Sequence, residues 1–292
     1  MSCFLYVCRS NPLSWLRDSP LTSVVLIFGP VMTILQDPPV EQFSSNELHS
    51  FRERGFLICH GLMPMSYVAA MRSLAERDAA AGLGDIEYEA DVRYPGAPAS
   101  LNAEGGRTIR RLRQAFSRDP IFSQLVKEPF LLQRLQQILG ERVVMPLAHH
   151  NCIMTKHPEF SSDTGWHQDI RYWSFERSEL VNVWIALTPE STENGCLRLL
   201  PGTHRADIDP QQLDDQLFLR SDLAQNQPWL EQAVTAELSP GDVLFFHARS
   251  FHSATRNYSV QTKCSAVFTF RELENSPLAD TRSASMPELL LS

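Results

Sequence analysis

The chain has 292 residues, 43% hydrophobic and 21% charged, the balance of a globular protein with a sizeable core rather than of a disordered one. A formal charge of -8 excludes the nonspecific grip on polyanions that an excess of lysine and arginine provides, so no nucleic-acid partner is expected. Six cysteines (Cys3, Cys8, Cys59, Cys152, Cys196, Cys264) form no CxxC pair, which points to reduced thiols in a cytoplasmic protein and away from a disulfide framework or zinc site.

The apolar run from Leu21 to Leu35 contains Pro30 and is too short to span a bilayer, so no stable membrane insertion is expected. Residues 1–31 read as an N-terminal extension and residues 32–292 as a single domain. Ser44 to Arg54 predicts a short helix, with Ser44 or Ser45 as N-cap, Glu47 in the first turn and Gly55 ending it. Phe56 to Cys59 follows as a short strand. From Pro64 to Ala81, Val68, Met71 and Leu74 recur at helical spacing until Gly82. Gly82 to Gly106 has no periodicity and reads as a long loop, of the kind that often serves as a lid.

Pro120 to Leu139 predicts another amphipathic helix, closed by Gly140. From Val143 onward the chain is a series of short β-rich runs: Val143 to Ala148, Asn151 to Lys156, Val181 to Leu187, Cys196 to Leu200, Ala233 to Leu238, Val243 to His247 and Ser265 to Phe270. Runs of this length between Pro, Gly, Asn and Asp turns argue for a sandwich or barrel. The expected architecture is mainly β with flanking helices packed on a double-sheet jelly roll.

Near the mouth of that region lies Gly165-Trp166-His167-Gln168-Asp169. Along a strand, residues i and i+2 share a face, so His167 and Asp169 can reach one ion while Gln168 points away. Two imidazoles and one carboxylate on one face suit iron(II) and leave positions open for chemistry. The third ligand must come from elsewhere, and His247 and His252 are both candidates. A lone HxD is weak, but here it precedes an Asn-Gly turn (Asn194-Gly195), a Pro-Gly-Thr-His turn (Pro201 to His204) and a Gly-Asp strand start (Gly241-Asp242) followed by a late histidine.

In these blocks the chain resembles the phytanoyl-CoA dioxygenase family of iron(II)/2-oxoglutarate oxygenases. The resemblance runs from about Ser44 to Phe270. It lies in Phe51 to Phe56, Trp166 to Asp169, Val183 to Leu187, Glu193 to Leu197, Leu200 to His204, and Gly241 through His252 to Asn257. It implies a double-stranded β-helix, the cupin-like jelly roll, with His167, Asp169 and His252 as metal ligands. His252 is selected over His247 by its distance from Asn257, and His204 belongs to a structural turn.

The resemblance further implies Fe(II), 2-oxoglutarate and dioxygen as cofactor and cosubstrates, with 2-oxoglutarate decarboxylated to succinate and carbon dioxide as a small-molecule substrate is hydroxylated. Halogenating relatives replace the carboxylate ligand with a small residue, so Asp169 favours hydroxylation. Family members anchor the distal carboxylate of 2-oxoglutarate with an arginine eleven residues after the second histidine ligand. Here that position is Lys263, which keeps the charge and loses the planar bidentate fork. The hydroxyl often found two residues after that histidine is replaced by Ala254. Cys152 and Trp184 match positions lining the cosubstrate pocket.

The basic segment Arg107 to Arg113 reads either as a solvated helical face or as a supplier of one or two pocket arginines, Arg110 first, that receive a carboxylate or phosphate. The aromatic stretch from Arg171 to Phe175 forms a pocket wall or packs beneath a lid. The expected assembly is a monomer or small homo-oligomer. Two other classes fit the same residues: a jelly-roll isomerase or hydrolase using another metal, and a catalytically silent binding protein.

Overall fold

The computed structural model describes residues 42–291. The readings of residues 1–31, of the run from Leu21 to Leu35, and of Cys3 and Cys8 lie outside them. The first described helix, α1 (Ser45–Arg54), begins as its sequence requires: Ser44 and Glu47 form a reciprocal capping box. It ends at Gly55, whose φ of 80° is the left-handed conformation open to glycine. β1 (Phe56–Cys59) and α2 (Met65–Ala81) follow as expected.

Three elements then depart from expectation. The segment read as a long loop contains β2 (Ile86–Tyr88), which pairs with β3 (Ile109–Arg113). The basic cluster is therefore a strand, not a helical face. The periodicity from Pro120 to Leu139 is carried by two helices after a short α3 (Ala115–Arg118): α4 (Pro120–Leu125) and α5 (Pro129–Leu139). Pro129 causes the break. The ring of a proline pushes the preceding residue out of the helical region, and Glu128 sits at ψ 130°.

The strands follow: β4 (Val143–Pro146), β5 (Asn151–Lys156), β6 (Thr164–His167), β7 (Leu180–Ala186) and β8 (Arg198–Leu199). After a helical turn, α6 (Gln227–Leu230), come β9 (Val234–Thr235), β10 (Val243–His247), β11 (His252–Ala254), β12 (Lys263–Glu272) and β13 (Glu288–Leu290). They form a double-stranded jelly roll. The larger sheet runs β1-β10-β7-β12-β5-β3-β2, with β4 and β13 attached beside β12, and the smaller runs β6-β11-β8-β9. All pairings are antiparallel.

The central strands of the larger sheet are buried on both faces, which is why they read as apolar runs without alternation. Parity still divides them. Val181, Val183 and Ile185 of β7, Phe245 of β10, and Ala266, Phe268 and Phe270 of β12 join the core packed against the helices. Trp184 and Ala186, Leu244 and Phe246, and Val267 face the other way, into the jelly-roll interior. Polar residues of the same inward parity, Asn182, Lys263, Ser265 and Thr269, are carried into that interior with them. Four described cysteines are free thiols. No described helix is long and apolar enough to cross a membrane.

Gly195 fixes the turn against the strand bearing His252. Its φ is +73°, and a Cβ there would lie 2.2 Å from the carbonyl oxygen of Thr255, the residue after β11. Gly195→Ala is expected to cost on the order of 2 kcal/mol of stability. This is measured as a lower urea midpoint at unchanged slope; an unchanged midpoint would show that the turn yields freely.

Candidate functional site

β6 ends at His167, and Asp169 is the first residue of a short 3-10 turn, Asp169–Tyr172. The two residues do not share a strand as expected; the turn, rather than strand alternation, brings the carboxylate round. Gln168 does point away, donating its side-chain amide to the Arg249 carbonyl. His252 opens β11 directly opposite His167 in register. The two rings lie 4.2 Å apart between centroids.

Donor atoms of His167, Asp169 and His252 all lie within 4.8 Å of one another, the one such group of three among the described residues. Asp169 Oδ1 is 3.8 Å from His167 Nε2 and 3.7 Å from His252 Nε2. Each histidine engages a carbonyl through Nδ1: His167 with Gly165 at 2.8 Å and His252 with Ser250 at 3.0 Å. An Nδ1–H donated to a carbonyl leaves Nε2 as a free lone pair facing the carboxylate. Burial keeps both imidazoles below their ordinary pKa, so they are neutral near pH 7, as metal ligation requires.

Asp169 is only 7% exposed. Burial alone would raise its pKa, but His150, His252 and His167 hold it well below the carboxylate range. Its second oxygen accepts from Asn182 Nδ2 at 2.8 Å, and Asn182 Oδ1 accepts from Thr269 Oγ1 at 2.6 Å. His150 Nε2 lies 3.1 Å from Asp169 Oδ1. Burial opposes its charged form, yet the carboxylate lifts it to about 9. Asn182, Thr269 and His150 were not found from sequence. Asn182 left one signal: a polar residue of inward parity in the apolar run from Leu180 to Leu187.

His247 lies elsewhere, on β10 with its ring 5.3 Å from that of His204, and burial pushes its pKa down to about 3. His204 holds the end of α1 through its Nε2 and the Arg52 carbonyl, 3.1 Å apart.

A narrow cavity runs inward from the triad between Trp184, Leu197, Phe246 and Ala254 to Lys156 and Lys263. Trp184 therefore lines it, whereas Cys152 lines the outer vestibule instead. Lys263 is already engaged: its Nζ donates to Glu190 Oε2 at 3.1 Å and sits 4.9 Å from the Trp184 ring centroid. Arg110 borders the cavity but is spent internally, donating to Ser162 Oγ at 2.8 Å, Thr164 Oγ1 at 3.2 Å and Glu89 Oε2 at 3.3 Å.

The vestibule outside the triad has a volume of about 420 Å³ and is walled by Tyr94, Arg111, Arg113, Arg171, Trp173 and Arg282. Arg111 and Arg113 pair with Glu87 at 3.1 and 2.7 Å. Arg171 forms no ion pair among the described residues; it donates to the Gln216 carbonyl at 3.1 Å and stacks 4.0 Å from the Phe218 centroid. The aromatic stretch after the triad divides its labour: Tyr172 and Trp173 reach the vestibule, and Phe175 packs with Leu180 and Ala248.

The chain is 25% identical over 265 residues to an ectoine dioxygenase of Bordetella bronchiseptica, covering 82% of each. It is 25% identical over 211 residues to an L-proline trans-4-hydroxylase of Streptomyces griseoviridis, covering 63% of this chain and 75% of that one. Among solved structures, EctD from S. alaskensis in its apoform superposes with a TM-score of 0.67 at 18% identity, over 84% of this chain and 82% of that one. The model of the phytanoyl-CoA dioxygenase (PhyH) family matches residues 51–264, and the chain belongs to that family.

Proposed function

We propose that the chain is an Fe(II)- and 2-oxoglutarate-dependent dioxygenase that hydroxylates a small molecule, working in the cytoplasm, where its unpaired thiols stay reduced. The carrying observation is the cluster of two neutral imidazole Nε2 atoms and one ionised carboxylate where the vestibule meets the inner cavity. Family membership supports the same reading.

The residues present fit iron(II). The donor set is the facial pair of histidines with one carboxylate, and every ligand is oriented by a second hydrogen bond. Bound iron supplies the oxidising chemistry: dioxygen and 2-oxoglutarate are consumed, succinate and carbon dioxide leave, and one oxygen atom enters a C–H bond of the substrate. The chain's own contribution is positional. Asn182 and Thr269 fix the Asp169 carboxylate so that Oδ1, not Oδ2, faces the histidines. Trp184, Phe246 and Leu197 give the inner cavity an apolar wall, and His150 holds Asp169 Oδ1 at 3.1 Å.

The vestibule favours an anionic substrate. Arg111 and Arg113 share Glu87, and Asp85 lies 3.9 Å from Arg113, whereas Arg171 has no carboxylate partner among the described residues and lies two positions after Asp169. A carboxylate or phosphate on the substrate would satisfy it, with Trp173 and Tyr172 flanking the rest.

The reading is tested by 2-oxoglutarate consumption with Fe(II) in purified protein. His252→Ala is expected to lower turnover by more than about 100-fold, beyond the loss typical of residues that only orient ligands, while His247→Ala retains it; the reverse pattern would sink the ligand assignment. Asn182→Ala is expected to weaken metal binding about 10- to 100-fold, read by Co(II) titration, because Asp169 is then free to turn. Arg171→Gln is expected to raise KM for an acidic substrate at least about tenfold with 2-oxoglutarate affinity unchanged; an unchanged KM removes the anionic-substrate reading.

A further inference from the structure

Lys156 and Lys263 stand directly opposite each other on β5 and β12, and both line the inner end of the cavity. They are 7% and 3% exposed. Their surroundings differ. Lys263 has a complete counter-ion in Glu190, a carboxylate with no exposed side-chain surface. The other oxygen of Glu190 accepts from Trp184 Nε1 at 2.8 Å and Ser265 Oγ at 2.6 Å. That carboxylate thus occupies the place where the family resemblance puts the far end of the cosubstrate, against the residue eleven positions after His252.

Among the described residues Lys156 has no carboxylate partner. Its Nζ donates to the carbonyls of Ser162 at 2.9 Å and Thr255 at 2.6 Å, and an ammonium carries three donors. The two acids whose charges pull on it form their ion pairs with arginines. Asp163 accepts from Arg256 at 2.6 Å, and Glu89 from Arg110 at 3.3 Å and Ser162 Oγ at 2.7 Å. The inner end therefore holds two ammonium groups against one carboxylate, that of Glu190, leaving one buried positive charge without a counter-ion among the described residues. Such a charge is costly unless something pairs with it. Burial first, then the like charges of Lys263 and Arg110, push Lys156 down to about 7, against the weaker pull of Glu89 and Asp163.

We infer that Lys156, rather than Lys263, receives the distal carboxylate of 2-oxoglutarate, and that the Lys263–Glu190 pair forms a neutral wall beside it. This rests on the reading of the chain as a 2-oxoglutarate enzyme. The arriving carboxylate makes the cluster neutral, two charges against two. Lys263 alone would have to share its ammonium between the ligand and Glu190, placing two carboxylates against one cation.

A pH dependence follows. Lys156 in the empty cavity loses its proton near pH 7, and the bound carboxylate favours the protonated form. Binding above pH 7 therefore takes up a proton, and affinity falls as pH rises.

The test is anaerobic titration of 2-oxoglutarate into the Fe(II) protein, followed by calorimetry at pH 8 in buffers of different ionisation enthalpy, for wild type, Lys156→Met and the double variant Lys263→Met/Glu190→Met. The same proteins are titrated with 2-oxopentanoate, which lacks the distal carboxylate, and melted without ligand. The expected result is a loss of at least 30-fold in 2-oxoglutarate affinity in Lys156→Met, no proton uptake, unchanged 2-oxopentanoate binding and no fall in Tm. The double variant is expected to keep most of the affinity and the proton uptake. Wild-type affinity in Lys156→Met, or the major loss falling in the double variant, overturns the inference. So does a fall in Tm with equal loss for both oxo acids, which would make Lys156 only a staple for the 162 and 255 carbonyls. If wild type binds no 2-oxoglutarate, the functional reading itself fails, a result distinct from an unaffected Lys156→Met.

Discussion

An ionised carboxylate in the interior of the jelly roll is the constraint around which this molecule is organised. Burying a carboxylate costs several kcal/mol unless it is paired and hydrogen-bonded. Asp169 meets that cost through Asn182 from β7, backed by Thr269 from β12, and through His150 from the turn before β5, while the two triad histidines turn their Nε2 atoms toward it. The larger sheet supplies the fixed partners and the smaller sheet the histidines. The site is therefore a joint between the two sheets: misregister of the larger would leave a buried charge unanswered, and misregister of the smaller would take the imidazoles away from it.

The same accounting separates structural from available charge elsewhere. In the vestibule, Glu87 of β2 is shared by three arginines of β3, and Glu89 and Asp85 on either side of β2 add one carboxylate each to Arg110 and Arg113, so the three cations of that strand meet three acids. Arg171 is left over, stacked on Phe218 and capped only by a carbonyl and a tyrosine hydroxyl. The Tyr94 hydroxyl that meets Arg171 belongs to the segment after β2, and the Tyr94 ring also lies 5.1 Å from the Arg110 guanidinium. One ring thus touches both a spent cation and an available one.

Much of this was legible in the sequence because it depends on local chemistry. The capping box at Ser44 and Glu47, the glycine closing α1, and the bounds of β1, β5 and β10 follow from residues within a few positions of one another. What failed depended on partners distant in the chain. Strand alternation was invisible in β7 and β12 because both faces are buried, so Asn182 and Thr269 gave little sign of facing a common centre. Pro129 interrupts a helix whose apolar spacing continues across it. Arg110 and Lys263 were chosen as free charges, and only the fold shows the carboxylates that claim them, 21 and 73 residues away in sequence.

The pairing of Lys263 with Glu190 has a consequence for how this cavity can change. With two buried partners, neither position is independent: an arginine introduced at 263 would be larger, and it would find its place in the strand already answered by a glutamate. An arginine there could keep the ion pair, but its larger planar head would have to fit where Glu190 already accepts from Trp184 and Ser265. Substitutions at 263 and 190 are therefore expected to be non-additive, each setting the cost of the other.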